Sequence, residues 1–410
     1  MGSVAKALGA LMLVGLVSLA GGCSRPPSQS AAGEGEESQR KRGGLLTIVD
    51  EPPSGPFGVP WEIAGQSILS AVPALETLLW MDWQGQLSPK LAERWEADPA
   101  ARTITLYLRK GVKFHDGTEF AAAAVQFNLQ NQLDAQLIPI LQRVEVLDSH
   151  TVRLHLTRWD NSVFIYLSGT LMTMVSPTAI ETKGVEWARY HPVGTGPFQF
   201  ESYERDVHVT YKRFEGYWDQ GKPYLDGVQI RYIRDPQTLK LAFQNQQVDV
   251  IGTRDIELAS ELAQAGYRVI QGMSGRNMLV LVPDSANPNS PLSDIRVRQA
   301  IWHAIDRQAL VEARGFGLAQ PTQQLAFPDS KAYLTDYQDE PYDVTRSKAL
   351  LAEAGYPNGF ATKLIAPPWV DRATVVAIQS QLADAGIDAQ IETPEPTRYR
   401  EYETKGGNGL

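Results

Sequence analysis

The sequence predicts a mixed α/β fold. Three observations carry the prediction. Short runs alternate apolar and polar residues: Ile104, Leu106 and Leu108 lie between Thr103, Thr105 and Tyr107, the period of a half-buried strand. Apolar residues at helical spacing, such as Val297, Ile301, Ala304 and Ile305, dominate the last third. The two patterns mix without strict strand–helix alternation and without an internal repeat. The chain has 410 residues, 43% apolar, 21% charged and 9% aromatic, which excludes collagen-like, coiled-coil and largely disordered readings. At roughly 150 residues per domain, two or three domains fit this length. A formal net charge of -9 excludes a whole-chain basic footprint for nucleic acid.

The N-terminus reads as an address. Lys6 precedes an apolar run over residues 7–20, followed by Gly21, Gly22 and Cys23. A cation, a short apolar stretch and small residues at the cut form the layout of a secretory signal, here residues 1–22. The stretch is short for a membrane span, which needs about 20 residues. Cys23 is the single cysteine, so an intrachain disulfide and a multi-cysteine zinc site are impossible. Its position resembles the bacterial lipobox, in which the cysteine is lipidated, although Ala20 stands where that pattern has leucine. Residues 23–44 hold no large apolar side chain and read as a flexible tether. The basic run Arg40, Lys41 and Arg42 reads as part of that solvated linker.

Order is expected from Leu45. Residues 45–50 read as a first strand, and residues 51–60, with four prolines and two glycines, as a loop. Residues 68–80 are apolar with mixed spacing and read as a helix. Val144, Val146, Val152, Leu154 and Leu156 flank Asp148, Ser149 and His150 as a hairpin. Residues 207–213 and 228–233 read as strands. Asp294 is a candidate N-cap for the helix of Val297 and Ile301. Leu350, Leu351 and Ala354 run into Gly355 and Pro357, a helix stop. Val375, Ile378 and Leu382 mark a further helix ending at Gly386, and Ile387, Ala389 and Ile391 alternate as a strand.

Three stretches together carry a resemblance. They are LSPKLAERWEADPAARTITLYLRKGVKFHDGTEF (87–120), the run from PVGTGPF to QNQQVDV (192–250), and SPLSDIRVRQAIWHAIDRQALV with YDVTRSKALLAEAGYPNGF (290–311 and 342–360). In this order and spacing the chain resembles the family 5 extracellular solute-binding proteins of ABC importers, which include peptide-, nickel- and opine-binding members. The resemblance covers residues 45–391. It implies a periplasmic-binding-protein-like fold of type II, cluster C, two-lobed with an extra domain. Lobe I would comprise residues 45–85 and 191–270, the extra domain 86–190, and lobe II 271–410. Relatives continue past the region of residues 392–402, so the resemblance implies a truncated chain whose third lobe is incomplete and leaves apolar surface exposed. Two further departures are Ala122-Ala123-Ala124-Val125, where relatives open a helix with acidic residues, and Val282-Pro283, where many have Phe-Asn.

Motifs for chemistry are absent. GMSGRN (272–277) only loosely resembles G-x-S-x-G, and no H-E-x-x-H, P-loop or EF-hand loop is present. GFGLAQ (315–320) lacks the last glycine of a dinucleotide fingerprint. The six histidines, His115, His150, His155, His191, His208 and His303, suggest no metal site; His150 and His155 should face opposite sides of a hairpin. His115 and Asp116 read as turn residues, Gly194, Gly196 and Pro197 as a structural loop, and Tyr217 and Trp218 as a packing pair. Trp302 reads as core or lobe surface.

The function implied by the resemblance is capture of an oligopeptide-like solute outside the cytoplasmic membrane and delivery to permease subunits. The chain would be a monomer held to the membrane by lipid on Cys23, with no catalytic residue, metal or cofactor. Alternatives are a secreted hydrolase, a sensor ectodomain, or a binder of a nickel chelate, an opine or another solute. Matched to relatives, the cleft would be lined by Phe57 and Trp61, Thr173 and Met174, and Arg276 and Asn277, with Arg276 available to a solute carboxylate.

Overall fold

A computed structural model describes residues 41–410, apart from Ala64, Trp83, Arg254, residues 271–278 and 327–329, Lys331, Gln338 and Asp339. Cys23, Arg276 and Asn277 lie outside the described residues. β1 (Leu45–Asp50) begins where the sequence places it. The helix expected over residues 68–80 does not form. A 3-10 turn, Gly65–Ser70, is followed by turns and by β2 (Leu79–Met81), which pairs antiparallel with β3 (Leu87–Pro89). Pro73 lacks a backbone N–H and disfavours helix at the residue before it. The carbonyls of Pro73 and Ala74 accept instead from Phe198 at 3.1 Å and Gly196 at 2.9 Å. Long-range bonds thus use the acceptors a helix would need.

β4 (Ala92–Asp98) and β5 (Thr103–Leu108) follow, the latter burying Ile104, Leu106 and Leu108 as its alternation demands. α1 (Ala122–Asp134) follows Ala121, which has no side-chain acceptor to cap it, and its first turn carries no acidic residue. β6 (Leu141–Asp148) and β7 (Thr151–Leu156) form the expected hairpin. Three short helices come next: α2 (Val163–Ser168), α3 (Pro177–Lys183), capped by Ser176, and α4 (Val185–Ala188). β8 (Phe198–Glu204), β9 (His208–Arg213) and β10 (Gly227–Tyr232) then run antiparallel in sequence. Asp235 caps α5 (Pro236–Gln244), which leads through β11 (Val250–Ile251) to α6 (Ile256–Gln264), capped by Asp255.

The last third is helical, and among the described residues an aspartate caps every α-helix start but the last, where Glu395 makes no side-chain cap. Asp294 caps α7 (Ile295–Ala304), and its hydrogen bond from the Arg296 side chain holds its carboxyl down at about 2. Asp306 caps α8 (Arg307–Arg314) and Asp343 caps α9 (Val344–Glu353). β12 (Phe360–Ile365), α10 (Arg372–Asp384, capped by Asp371) and β13 (Ile387–Glu392) form a parallel crossover, and α11 (Pro396–Lys405) follows.

Beside the β2–β3 pair, three sheets organise these elements. A five-stranded sheet has the order β11-β1-β10-β9-β8, with β1 parallel to both β10 and β11. A four-stranded antiparallel sheet has the order β4-β5-β7-β6, and α1 packs on it. β12 and β13 pair alone. Each sheet has its own buried cluster. Leu106, Phe114, Phe120, Val125 and Leu129 belong to the four-stranded sheet. Phe57, Ile68, Val209, Tyr211 and Ile230 belong to the five-stranded one, whose other face holds Val49, Leu239 and Leu258. Val297, Ile301, Leu351, Val375, Leu382 and Ile387 close over β12 and β13. Leu410 joins this cluster, bonding Lys363 and Ile365 of β12 through its backbone at 2.9 Å each. The exposed apolar residues of the same region include Leu279, Val280, Val282, Leu325, Trp369 and Val376.

Candidate functional site at the carboxyl ends of the parallel strands

Parallel strands end on the same edge, and open parallel sheets bind ligands beyond the carboxyl ends of their strands. β1, β10 and β11 end at Asp50, Tyr232 and Ile251; β12 and β13 end at Ile365 and Glu392. The segments that leave these ends are therefore the candidate site: residues 51–62, 233–235, Gly252 and Thr253, 366–371, and 393–395.

The first segment carries two residues singled out by sequence. Phe57 is 0% exposed. Its ring meets Tyr203 edge-on at 5.0 Å and Tyr190 at 5.9 Å. The Arg189 carbonyl accepts from Phe57 at 3.0 Å and from Gly58 at 2.9 Å. Only glycine fits at 58, because a Cβ there would sit 2.1 Å from the Ala188 carbonyl oxygen. Glu62 and the Arg189 guanidinium close the loop with contacts of 2.6 and 3.3 Å. Trp61, on the 3-10 turn Pro60–Glu62, is half-buried and meets Phe127 of α1 edge-on at 5.9 Å.

Thr173 and Met174 sit behind this segment. Asn128, buried in α1, mimics a strand: its amide donates to Val175 O at 2.8 Å and its oxygen accepts Val175 N–H at 3.0 Å. Met174 N–H donates to Glu76 O at 2.8 Å, and its side chain is buried. Thr173 is 3% exposed, and its hydroxyl has no hydrogen-bond partner among the described residues. In this conformation a solute reaches Phe57, Thr173 or Met174 only if the surrounding chain moves.

The strongest polar arrangement was not found by sequence reasoning. The Glu76 side chain is 2% exposed and its carboxylate has four partners. Oε1 accepts from Tyr217 at 2.8 Å and faces Lys90 Nζ at 3.0 Å; Oε2 accepts from Thr195 and Trp218 at 2.9 Å each. Burial, then the charge of Glu76, pushes the Tyr217 phenol up, so it stays a donor. Tyr217 and Trp218 do touch, 5.4 Å apart and tilted by 50°, but their polar ends converge on Glu76. The signal was present: Glu76 is the one charge in the apolar run 68–80, and a buried carboxylate needs partners.

The remaining candidates resolve into structure. Asp116 closes its turn onto Thr118 at 3.0 Å, as expected of a turn residue. His115 reaches further: Nε2 donates to Gly196 O at 2.9 Å and Nδ1 accepts Gly194 N–H at 3.3 Å. Burial lowers its pKa to about 4. Gly194 and Gly196 allow close approach, but to protein backbone: a Cβ at Gly194 would lie 2.1 Å from Ala74 O. His155 bonds Glu145 at 2.6 Å while His150, in the turn, faces Glu119 at 3.5 Å. Trp302 donates to Glu340 O at 3.2 Å with Arg307 stacked 4.3 Å from its ring centre. Among the described residues no group of three or more His, Cys, Asp or Glu is placed to hold a metal, and no helix is long and apolar enough to cross a membrane. An open depression of about 510 Å³, lined by Gln199, Lys212, Phe214 and Asp226 among others, contains none of the sequence-predicted site residues.

The chain is 33% identical over 339 residues to the glutathione-binding protein GsiB of Escherichia coli O1:K1, and equally to that of Shigella flexneri. The match covers 80% of this chain and 65% of the relative, so the chain spans just under two thirds of the length of these relatives. Among solved structures, the periplasmic binding protein DppA of Helicobacter pylori, in complex with the peptide STSA, superposes with a TM-score of 0.71 at 24% identity, covering 90% of this chain and 77% of that one. AgaA of A. tumefaciens R10, in complex with agropinic acid, gives 0.69 at 28% identity over 89% and 76%. NikA of Brucella suis, in complex with Fe(III)-EDTA, gives 0.74 at 22% identity over 88% and 77%. These neighbours share the two-lobed, mixed α/β fold. Residues 86–409 match the middle region of one sequence family, and the chain belongs to it: the bacterial extracellular solute-binding proteins, family 5.

Proposed function

We propose that this protein is the extracytoplasmic solute receptor of an ABC importer and binds an oligopeptide-like solute. The observation that carries the reading is the 33% identity to a glutathione-binding protein over 80% of the chain, glutathione being a short peptide. In this reading lobe I comprises residues 45–85 and 191–270, the extra domain residues 86–190, and lobe II residues 271–410. The solute lies between the carboxyl edges of the two parallel-strand groups. Trp61, Arg276 and Asn277 are the proposed contacts, and Phe57, Thr173 and Met174 shape the wall behind Trp61. Binding shifts the population toward a closed form, which requires that the solute bind that form more tightly than the open one. Closure then presents both lobes to the permease. Cys23, lipidated after removal of residues 1–22, tethers the monomer to the membrane, and no cofactor takes part.

Native mass spectrometry of the purified full chain tests the reading, followed by calorimetry with glutathione and simple tripeptides. An unmodified co-purified peptide, or micromolar binding of one of these, is expected. Turnover of a supplied peptide would make the protein an enzyme and end the proposal. The 28% identity to the agropinic acid complex favours one second reading, an opine solute, so agropinic acid belongs in the same titration series.

A further inference from the structure

Trp369 stands on the carboxyl edge of the β12–β13 pair with 61% of its surface exposed. Scattered exposed apolar residues need no explanation in general. Trp369 differs in how firmly its backbone is fixed. Ala366 N–H donates to Glu392 O at 2.9 Å, tying the start of the turn to the end of β13. Pro367 and Pro368 restrict φ, and Val370 N–H closes the turn onto Pro367 O at 3.0 Å. Val370 packs against the buried cluster around Val375 and Leu382. Asp371 caps α10 by accepting Thr374 N–H at 2.9 Å, and Arg314 binds the same oxygen at 3.0 and 3.1 Å. The ring of Tyr399, from the helix that follows β13, stands edge-on to the indole at 5.4 Å and 85°. The result is a large, flat, apolar side chain held in water by a turn that cannot easily fold it away.

We infer that Trp369, backed by Tyr399, is the platform on which an aromatic or bulky apolar side chain of the solute packs, and that it sets the preference among solutes. The inference rests on the proposed solute-binding reading and names a specificity residue within that same site. A tryptophan gives broad contact area for two side-chain torsions, and a pre-fixed turn lowers the ordering cost of binding. Aromatic partners add an offset or edge-on ring contact beyond the area buried. The preference is therefore for the nature of a side chain, with the peptide backbone left to other groups.

Calorimetry with the full chain tests this, using the tripeptides Ala-Phe-Ala and Ala-Ala-Ala as probes. The unaltered protein is expected to bind Ala-Phe-Ala at least about tenfold more tightly. Trp369→Ala is expected to erase that preference, and Trp369→Phe to keep most of it. Far-ultraviolet circular dichroism and thermal melts of both variants should match the unaltered protein, because the side chain is exposed. If Trp369→Ala binds both peptides with the original preference, the platform is wrong while the solute-binding proposal stands. If the unaltered protein binds neither peptide, the oligopeptide reading and the platform fall together.

Discussion

The Trp218 indole N–H donates to Glu76 Oε2 at 2.9 Å across 142 residues of chain. The bond fastens the loop after β9 to the segment that leads into β2. Thr195, Tyr217 and Lys90 complete the set, so three separate segments of the chain meet on one carboxylate. Arg109 stacks on the outer face of Trp218, 4.3 Å from its ring centre, and covers the arrangement.

Glu76→Gln tests the weight of this node. The amide keeps the size but replaces one acceptor oxygen with a donor, which must face O–H or N–H groups that already donate. Lys90 loses its counter-charge, although 30% exposure of its side chain leaves it partly hydrated. Breaking a buried pair from one side typically costs about 3 kcal/mol. Urea denaturation is expected to show a loss of that order with an unchanged slope. A loss under about 1 kcal/mol would mean that the node contributes little.

His115 gives the protein a sensitivity to acid. Burial lowers its folded pKa from 6.5 to about 4, while the bond to Gly196 O and the charge of Asp116 act the other way. Between those two values the unfolded chain binds a proton that the folded chain refuses. Stability from this group is therefore complete above the unfolded pKa and declines as pH falls toward the folded one, by up to about 3 kcal/mol in all. Denaturation curves at pH 7 and pH 5 should differ more for the natural protein than for His115→Gln. Equal pH dependence in the two would remove His115 as the cause.

Gly194→Ala should be costly for a reason distinct from backbone freedom. The added methyl would lie 2.1 Å from Ala74 O and 2.7 Å from Leu75 Cδ2, so the close approach of these two loop segments must open. A loss of about 2–4 kcal/mol is expected. Gly85→Ala is the control: its φ is +76° but nothing lies within 4 Å of the new methyl, so only left-handed backbone strain of about 1 kcal/mol applies. Thermal melts of the two variants should separate accordingly.

What the sequence made legible was local. Asp294 was legible as a cap because it and the apolar stripe of Val297 and Ile301 lie close together in sequence. The period of residues 103–108 specified both a strand and its buried face. Residues 68–80 misled because Pro73 and the acceptors beside it answer to residues 196–198, far away in sequence. Glu76 was missed for the same reason, since its partners come from three distant segments. At the site, resemblance pointed to the segments that carry Phe57 and Thr173. It did not reveal that tertiary packing turns those side chains inward while Trp369 stays in water.

Thr173→Val separates a wall residue from a contact residue. The hydroxyl is buried beside Met174 and finds no partner among the described residues, an arrangement that costs about 1–3 kcal/mol relative to a paired group. Valine keeps the branched shape and removes the polar atom that has to be desolvated. Stability is therefore expected to hold or to rise by about 1 kcal/mol, read as the midpoint of urea denaturation. Affinity for a bound tripeptide is expected to stay within about twofold, because Thr173 is reached only if the chain around it moves. A drop of tenfold or more with stability intact would place the hydroxyl in contact with the solute. It would also show that closure moves the segment clamped by Asn128, because that clamp at Val175 holds Thr173 inward.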